Sequence, residues 1–233
     1  MKKVLTSLLA IILCFCCVFA VTSCGCQEED TRVKAPGTTA PELVDENGFG
    51  YIIVNSSTLT VTKYTGTATD IIVPAEYDGK PVTAIGDDAF RDAKITSVTI
   101  PSSIKSLGSR SFDGCVALAS VTLSEGLETI GDHAFKYDTA LTEIKFPSTL
   151  KSIGMYAFTY TGLSKVEIPD GVTSLGAYCF FQNELLKSAT VPASVTTIDK
   201  GAFGDCPKLT IKGEIGSAVE TYAETENVPF EAI

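Results

Sequence analysis

Leu141 to Phe158 reads LTEIKFPSTLKSIGMYAF, and the fold follows from it. Glu143-Ile144-Lys145-Phe146 alternates outward polar and inward apolar residues, the period of a strand with one buried face. Pro147 ends that strand, because proline has no N–H to give to a ladder. A second apolar-alternating piece leads to Ile153. Gly154 then turns the chain, at an expected φ > 0. A short helical turn ending in Ala157-Phe158 closes the unit.

The unit recurs. Phe90, Phe112, Phe135, Phe158, Phe180 and Phe203 are spaced by 22, 23, 23, 22 and 23 residues. Four apolar series keep the same register. They run Ile95, Leu118, Leu141, Leu163, Leu186, Leu209; Val98, Val121, Ile144, Val166, Ala189; Ile100, Leu123, Phe146, Ile168, Val191; and Leu107, Ile130, Ile153, Leu175, Ile198. Pro101, Pro169 and Pro192 repeat Pro147. Gly86, Gly108, Gly131 and Gly176 repeat Gly154, and Asp199, which tolerates φ > 0 better than most residues, replaces the glycine in the last unit. One unit cannot bury its apolar side alone. Stacking produces a continuous core with a parallel sheet along it, and this period lies in the leucine-rich-repeat range.

The pattern L-x-x-I-x-I-P followed by aliphatic-x-x-I-G-x-x-A-F resembles the BspA-like leucine-rich repeats of bacterial surface proteins, over roughly Ile71 to Leu209. The resemblance implies an α/β, β-dominated leucine-rich-repeat solenoid with short helical turns, an N-terminal β cap and a C-terminal helical cap. Tyr51–Val54 and Leu59–Tyr64 are expected to pair as a hairpin. Gly216 to Pro229 reads as a capping helix, with Ser217 at the N-cap and Glu220 at N3 forming a capping box. The family often has cysteine three residues before the repeat leucine. Cys115 and Cys206 keep it, while Asp138, Tyr160 and Asn183 stand in elsewhere. Four rungs separate Cys115 from Cys206, so no disulfide is expected between them.

The N-terminus is an address. Lys2 and Lys3 precede the uncharged run Val4 to Val21, and Val21-Thr22-Ser23-Cys24 resembles the lipobox of bacterial lipoproteins. That resemblance implies cleavage before Cys24, lipid on its sulfur, and a location outside the cytoplasmic membrane, anchored to it or to the cell surface. Gly25 to Asn47 is polar and Thr/Pro/Gly-rich, the composition of a disordered tether. At ~5–6 Å per root residue its reach is about 25 Å. The expected organisation is signal 1–23, lipidated cysteine and tether 24–47, cap and first-rung start 48–84, repeats 85–209, and C-terminal cap 210–233.

Without Lys2 and Lys3, 16 Lys+Arg face 28 Asp+Glu, a net charge of −12. Such a surface repels phosphate backbones, so no nucleic-acid partner is expected. No CxxC pair or Cys/His cluster suggests zinc, and nothing implies a cofactor. His133, the one histidine, has no nucleophile or acid fixed beside it in sequence. Asp87, Ser109 and Asp132 share a slot where an N-cap oxygen is wanted. No catalytic residue emerges.

Two surfaces are candidates for binding. On the strand face, a rung spacing of ~4.8 Å would set Glu143 beside Lys165 and Lys145 beside Glu167. The ladder Ser106, Thr129, Ser152, Ser174, Thr197 reads as structural, its short hydroxyls suiting a tight bend. The second surface is an edge of the middle rungs, where Tyr137, Tyr156, Tyr160, Tyr178 and Phe181 gather near His133. Aromatic residues are over-represented in binding hot spots, and the same rings could instead cover the solenoid flank. The corresponding slots hold Asp88 and Arg91 in the first unit and Gly201 and Gly204 in the last, so the fold is not expected to demand aromatics there. The family resemblance implies recognition of host or matrix proteins, with a surface glycan as the other ligand class.

Overall fold

A computed structural model describes residues 42–233. Signal, cleavage site and Cys24 lie outside the described residues. The chain winds as stacked rungs, with the six phenylalanines as its spine. Phe90 and Phe112 stack at 4.8 Å, and the steps on to Phe135, Phe158, Phe180 and Phe203 are 5.1, 5.1, 5.3 and 5.2 Å, with all five ring pairs within 10° of parallel. All six rings are at most 1% exposed. Each contact of this kind adds about 0.5–1.5 kcal/mol beyond the area it buries.

The sheet that runs through the molecule is built from the second apolar piece of each unit. Lys80–Ile85, Ser106–Leu107, Thr129–Ile130, Ser152–Ile153, Ser174–Leu175 and Thr197–Ile198 pair in parallel, in repeat register. The hydroxyl ladder of Ser106 and its equivalents therefore lies in strands, not in a bend. The longer strand segments form two shorter sheets. One holds Asp70–Ile72, Ser97–Ile100 and Ser120–Leu123; the other holds Lys165–Glu167, Ser188–Thr190, Thr210–Gly213 and Phe230–Ala232. Between them the expected strand Glu143–Phe146 is missing, and a single bridge joins Thr122 to Lys145. Phe146 puts a larger ring into a column that is otherwise aliphatic. That ring stands edge-on to Phe158 at 5.5 Å and 74°.

The repeat glycines do a different job from the one expected. Gly86, Gly108, Gly131, Gly154 and Gly176 do not have positive φ. They are small because rungs touch there: a Cβ on Gly154 would lie 2.7 Å from the Gly131 carbonyl carbon and the Asp132 nitrogen. The left-handed residue comes two positions later, and in the last unit it is Gly201 (φ 64°), not Asp199.

The corners are not helical turns. In the middle rungs, the N–H groups of Tyr156, Phe158 and Tyr160 donate to Ala177, Cys179 and Phe181 carbonyls of the next rung at 3.0, 2.7 and 3.2 Å. A helix would spend these donors within its own turn. Here backbone pairing runs from rung to rung, which satisfies each buried group. Asp87 and Asp132 serve the same purpose. Their carboxylates accept from the N–H of Ser109 at 2.7 Å and of Met155 at 2.8 Å, each in the following rung, rather than capping their own.

At the N-terminal end the expected hairpin forms, Phe49–Val54 against Thr58–Tyr64, turning through left-handed Asn55 and Ser56. Order begins earlier than the tether reading allowed. Leu43–Val44 pairs with Gly50 and Tyr51, and Tyr51 donates its hydroxyl to Asp45 at 2.7 Å. At the other end the helix is Ala218–Glu226. Its N-terminus does not close the reciprocal capping box. Ser217 donates to the Glu214 carbonyl at 2.6 Å, and Glu220 accepts from Gly216 at 2.6 Å. Tyr222 ends the phenylalanine spine, edge-on to Phe203 at 6.0 Å, its hydroxyl oxygen accepting the Phe203 N–H at 2.9 Å.

Counted forward from each phenylalanine, the slot three residues on runs Ala93, Cys115, Asp138, Thr161, Asn183, Cys206. Thr161, not Tyr160, belongs to this column. Three of its members reach back-rung carbonyls: Cys115 donates to Phe90 at 3.0 Å, Asn183 to Phe158 at 2.9 Å, and Cys206 to Phe180 at 3.2 Å. Cys115 and Cys206 are free thiols, each hydrogen-bonded to a backbone carbonyl.

Candidate binding edge

Two ladders of left-handed residues flank each Ala-Phe pair. The inner one is Asp88, Arg110, His133, Tyr156, Tyr178, Gly201, with φ between 54° and 64°. The outer one is Asp92, Gly114, Tyr137, Tyr160, Gln182, Asp205. Positive φ costs a residue with a Cβ roughly 1–2 kcal/mol, and only glycine, asparagine and aspartate occupy it routinely. Four tyrosines and a histidine here therefore run against the local preference of the backbone.

Part of that cost is offset by stacking. His133 stacks on Tyr156 at 5.0 Å and 16°, and Tyr156 on Tyr178 at 5.0 Å and 11°. Tyr137 stacks on Tyr160 at 5.1 Å and 17°. Phe181 meets Tyr178 edge-on at 5.3 Å. The five aromatic residues singled out in the sequence are thus brought together, four of them in two columns that rise one rung per step and Phe181 against the side of Tyr178. Tyr137 and Tyr160 are the open column, 43% and 39% exposed.

Lys136, which sequence reading passed over, ties the columns together. Its ammonium stands 4.8 Å from the Tyr137 ring centre and 5.6 Å from that of Tyr156. Its position between ladder residues 133 and 137 was the available signal. Burial, then the nearby Lys136 charge, push the His133 pKa down. At the start of the inner ladder Arg110 donates Nε–H to Asp88 at 2.8 Å, which holds that carboxyl below its usual range.

The charged quartet behaves differently. Glu143, Lys145, Lys165 and Glu167 do line one cleft, of about 820 Å³, at the break in the strand face. The expected pairs across rungs do not form. Lys165 instead pairs with Glu167 two residues along its own strand, and no strand pairing joins 143–146 to Lys165–Glu167.

Residues 83–210 match the model of the BspA type leucine rich repeat region, in six copies. The chain belongs to this family. Solved structures of similar fold include the T. pallidum leucine rich repeat protein, 27% identical over 81% of this chain and 97% of that one, with a TM-score of 0.71. A leucine rich cell surface protein from Faecalibacterium prausnitzii is 28% identical over 76% of this chain and 55% of that one, TM-score 0.63. A leucine-rich repeat protein from Bacteroides ovatus is 29% identical over 73% and 46%, TM-score 0.65. The chain spans about half the length of these last two. No curated protein matches it.

Proposed function

We propose that the chain is a non-catalytic protein-binding module of the bacterial surface, held there by lipid on Cys24, and that its partner, a host or matrix protein, is met by the aromatic edge. The observation that carries this reading is the placement of Tyr137, Tyr156, Tyr160 and Tyr178 at positive φ, where glycine or asparagine would serve the backbone at less cost. Strain held at a surface is a pointer to function. A surface glycan is the weaker reading. Sugar rings stack on open aromatic faces, and Tyr156 already has His133 on one side and Tyr178 on the other. Tyrosine edges and hydroxyls suit a protein surface better.

The test is capture of the full-length chain on a panel of matrix proteins and on a glycan array, for wild type and for Tyr156→Gly with Tyr178→Gly. The double change should weaken protein capture about tenfold, 1.4 kcal/mol. Unchanged capture at unchanged stability overturns the aromatic edge as the site, and glycan capture alone overturns the ligand class. For the anchor, mass spectrometry of the native protein should find acylated Cys24 at the N-terminus; an intact Met1 overturns it.

A further inference from the structure

A second cleft, of about 710 Å³, lies where the outer tyrosine column stops. Tyr137 covers one face of the Tyr160 ring. Tyr160 lines the cleft, and its remaining walls come from the following rungs, from Glu226 at the end of the helix and from the segment after it. Phe203, Leu209 and Val228 contribute apolar wall, while Glu184, Asp205 and Glu226 bring carboxylates. Gln182, next in the ladder after Tyr160, turns its amide to Asp205 at 3.4 Å.

The charge here is unbalanced. Among the described residues, the ion pairs engage Glu42, Asp78, Asp88, Asp92, Asp113, Glu167 and Glu231, and none of the three cleft carboxylates. Lys208 is the cation the walls supply against them. An aromatic face, an apolar wall and a net negative rim together fit a planar cation. A guanidinium can stack on the ring while its N–H fork reaches carboxylates; an ammonium can do only the second well. The chain already uses the guanidinium–carboxylate half of that chemistry, since Arg110 occupies a ladder slot and donates to Asp88 through Nε at 2.8 Å and Nη2 at 3.3 Å.

We infer that this cleft takes an arginine side chain of a basic peptide segment in the partner protein, stacked on Tyr160 and held by Glu184 and Glu226. The inference rests on the reading of the chain as a protein-binding module, and names the chemistry of what it binds.

Fluorescence anisotropy with the full-length chain in detergent tests it. The probe is a labelled peptide of alternating glycine and arginine, beside the same peptide with citrulline or lysine in place of arginine. The arginine peptide should bind at least about tenfold more tightly than the citrulline one, with lysine between. Glu184→Gln with Glu226→Gln, and separately Tyr160→Gly, should each weaken it about fivefold or more. Tyr160→Gly relieves positive φ (59°), so folding is not at risk. Glu46→Gln with Glu128→Gln removes the same charge elsewhere and should change affinity by less than about twofold. Equal loss in that control, or lysine binding as tight as arginine, shows mere attraction to an acidic protein and overturns the inference; equal binding of the uncharged citrulline peptide shows that the guanidinium plays no part and overturns it too. So does absence of binding up to about 1 mM peptide. If the cleft fails in this way while the Tyr156/Tyr178 variant still loses its partner, the module reading stands alone.

Discussion

The ring of Tyr178 lies over Gly201: a Cβ added to that glycine would stand 2.5 Å from Cε1 of the tyrosine. Phe181 lies over Gly204 in the same way, with a Cβ–Cδ2 approach of 3.0 Å. The glycines of the last unit are therefore the floor on which the aromatic edge rests. They do not show that the slot is indifferent to aromatics, as the sequence contrast suggested.

Gly201→Ala should accordingly destabilise the protein by about 1–2 kcal/mol, the cost of a left-handed alanine, and displace the Tyr178 ring. Urea melts measure the first effect and near-ultraviolet circular dichroism of tyrosine the second. A variant as stable as wild type with an unchanged tyrosine signal would mean that the ring does not lie there.

Tyr156 allows strain and stacking to be separated. Alanine removes two ring contacts, each about 0.5–1.5 kcal/mol, and keeps the positive φ; glycine removes the same contacts and the strain. Tyr156→Gly should therefore be more stable than Tyr156→Ala by about 1 kcal/mol, as read from urea midpoints. The usual order on a solvent-exposed, right-handed backbone is the reverse. Finding that reverse order would place Tyr156 outside the left-handed region.

The phenylalanine spine was legible because one residue type recurs at a near-constant interval, and only a stacked core asks for that. The glycine column was seen but misassigned. Glycine serves two needs, free φ and absence of a Cβ, and a sequence does not say which; Gly154 serves the second. The misplaced Tyr160 has a simpler origin. Six residues separate Phe135 from Leu141, but five separate Phe158 from Leu163. Counting back from the leucine slips one position in the short unit, and the buried Thr161 was overlooked. The break at Glu143–Phe146 was not legible, since its alternation is as regular as in any other unit. Nor was the cleft beside Tyr160, whose walls come from residues far apart in the chain.

Gly154→Ala follows from the second of those needs. Its Cβ would meet backbone atoms of the previous rung at 2.7 Å, and backbone cannot swing aside as a side chain can. Overpacking of this kind costs about 1–3 kcal/mol. Gly79→Ala adds a Cβ with nothing within 4 Å but at φ 69°, so it reports strain without contact, about 1–2 kcal/mol. Urea melts should rank Gly154→Ala at least as costly. Equal stability of Gly154→Ala and wild type would show that the rungs stand further apart.

Asp138 gives the protein a pH dependence of unusual sign. It is fully buried in the column that holds hydrogen-bonded Cys115 and Asn183, and neither of its carboxyl oxygens has a hydrogen-bond partner. Burial pushes its pKa up to about 9; the Cys115 N–H pulls the other way without closing a hydrogen bond, and the Asp113 carboxylate adds to the rise. A carboxyl whose folded pKa lies above its unfolded value binds more protons when folded. Its contribution to stability is then complete below about pH 4 and declines, by about 1.4 kcal/mol per pH unit, as pH rises towards 9. Asp138→Asn removes the titrating group and supplies amide donors, such as Asn183 already gives to the Phe158 and Phe180 carbonyls at 2.9 Å each. The variant should be more stable than wild type at pH 8 by an amount that shrinks towards pH 5. Urea midpoints of both proteins at half-unit steps across that range measure the difference. Two parallel curves would mean that Asp138 is ionised in the folded protein and that its carboxylate has found a donor.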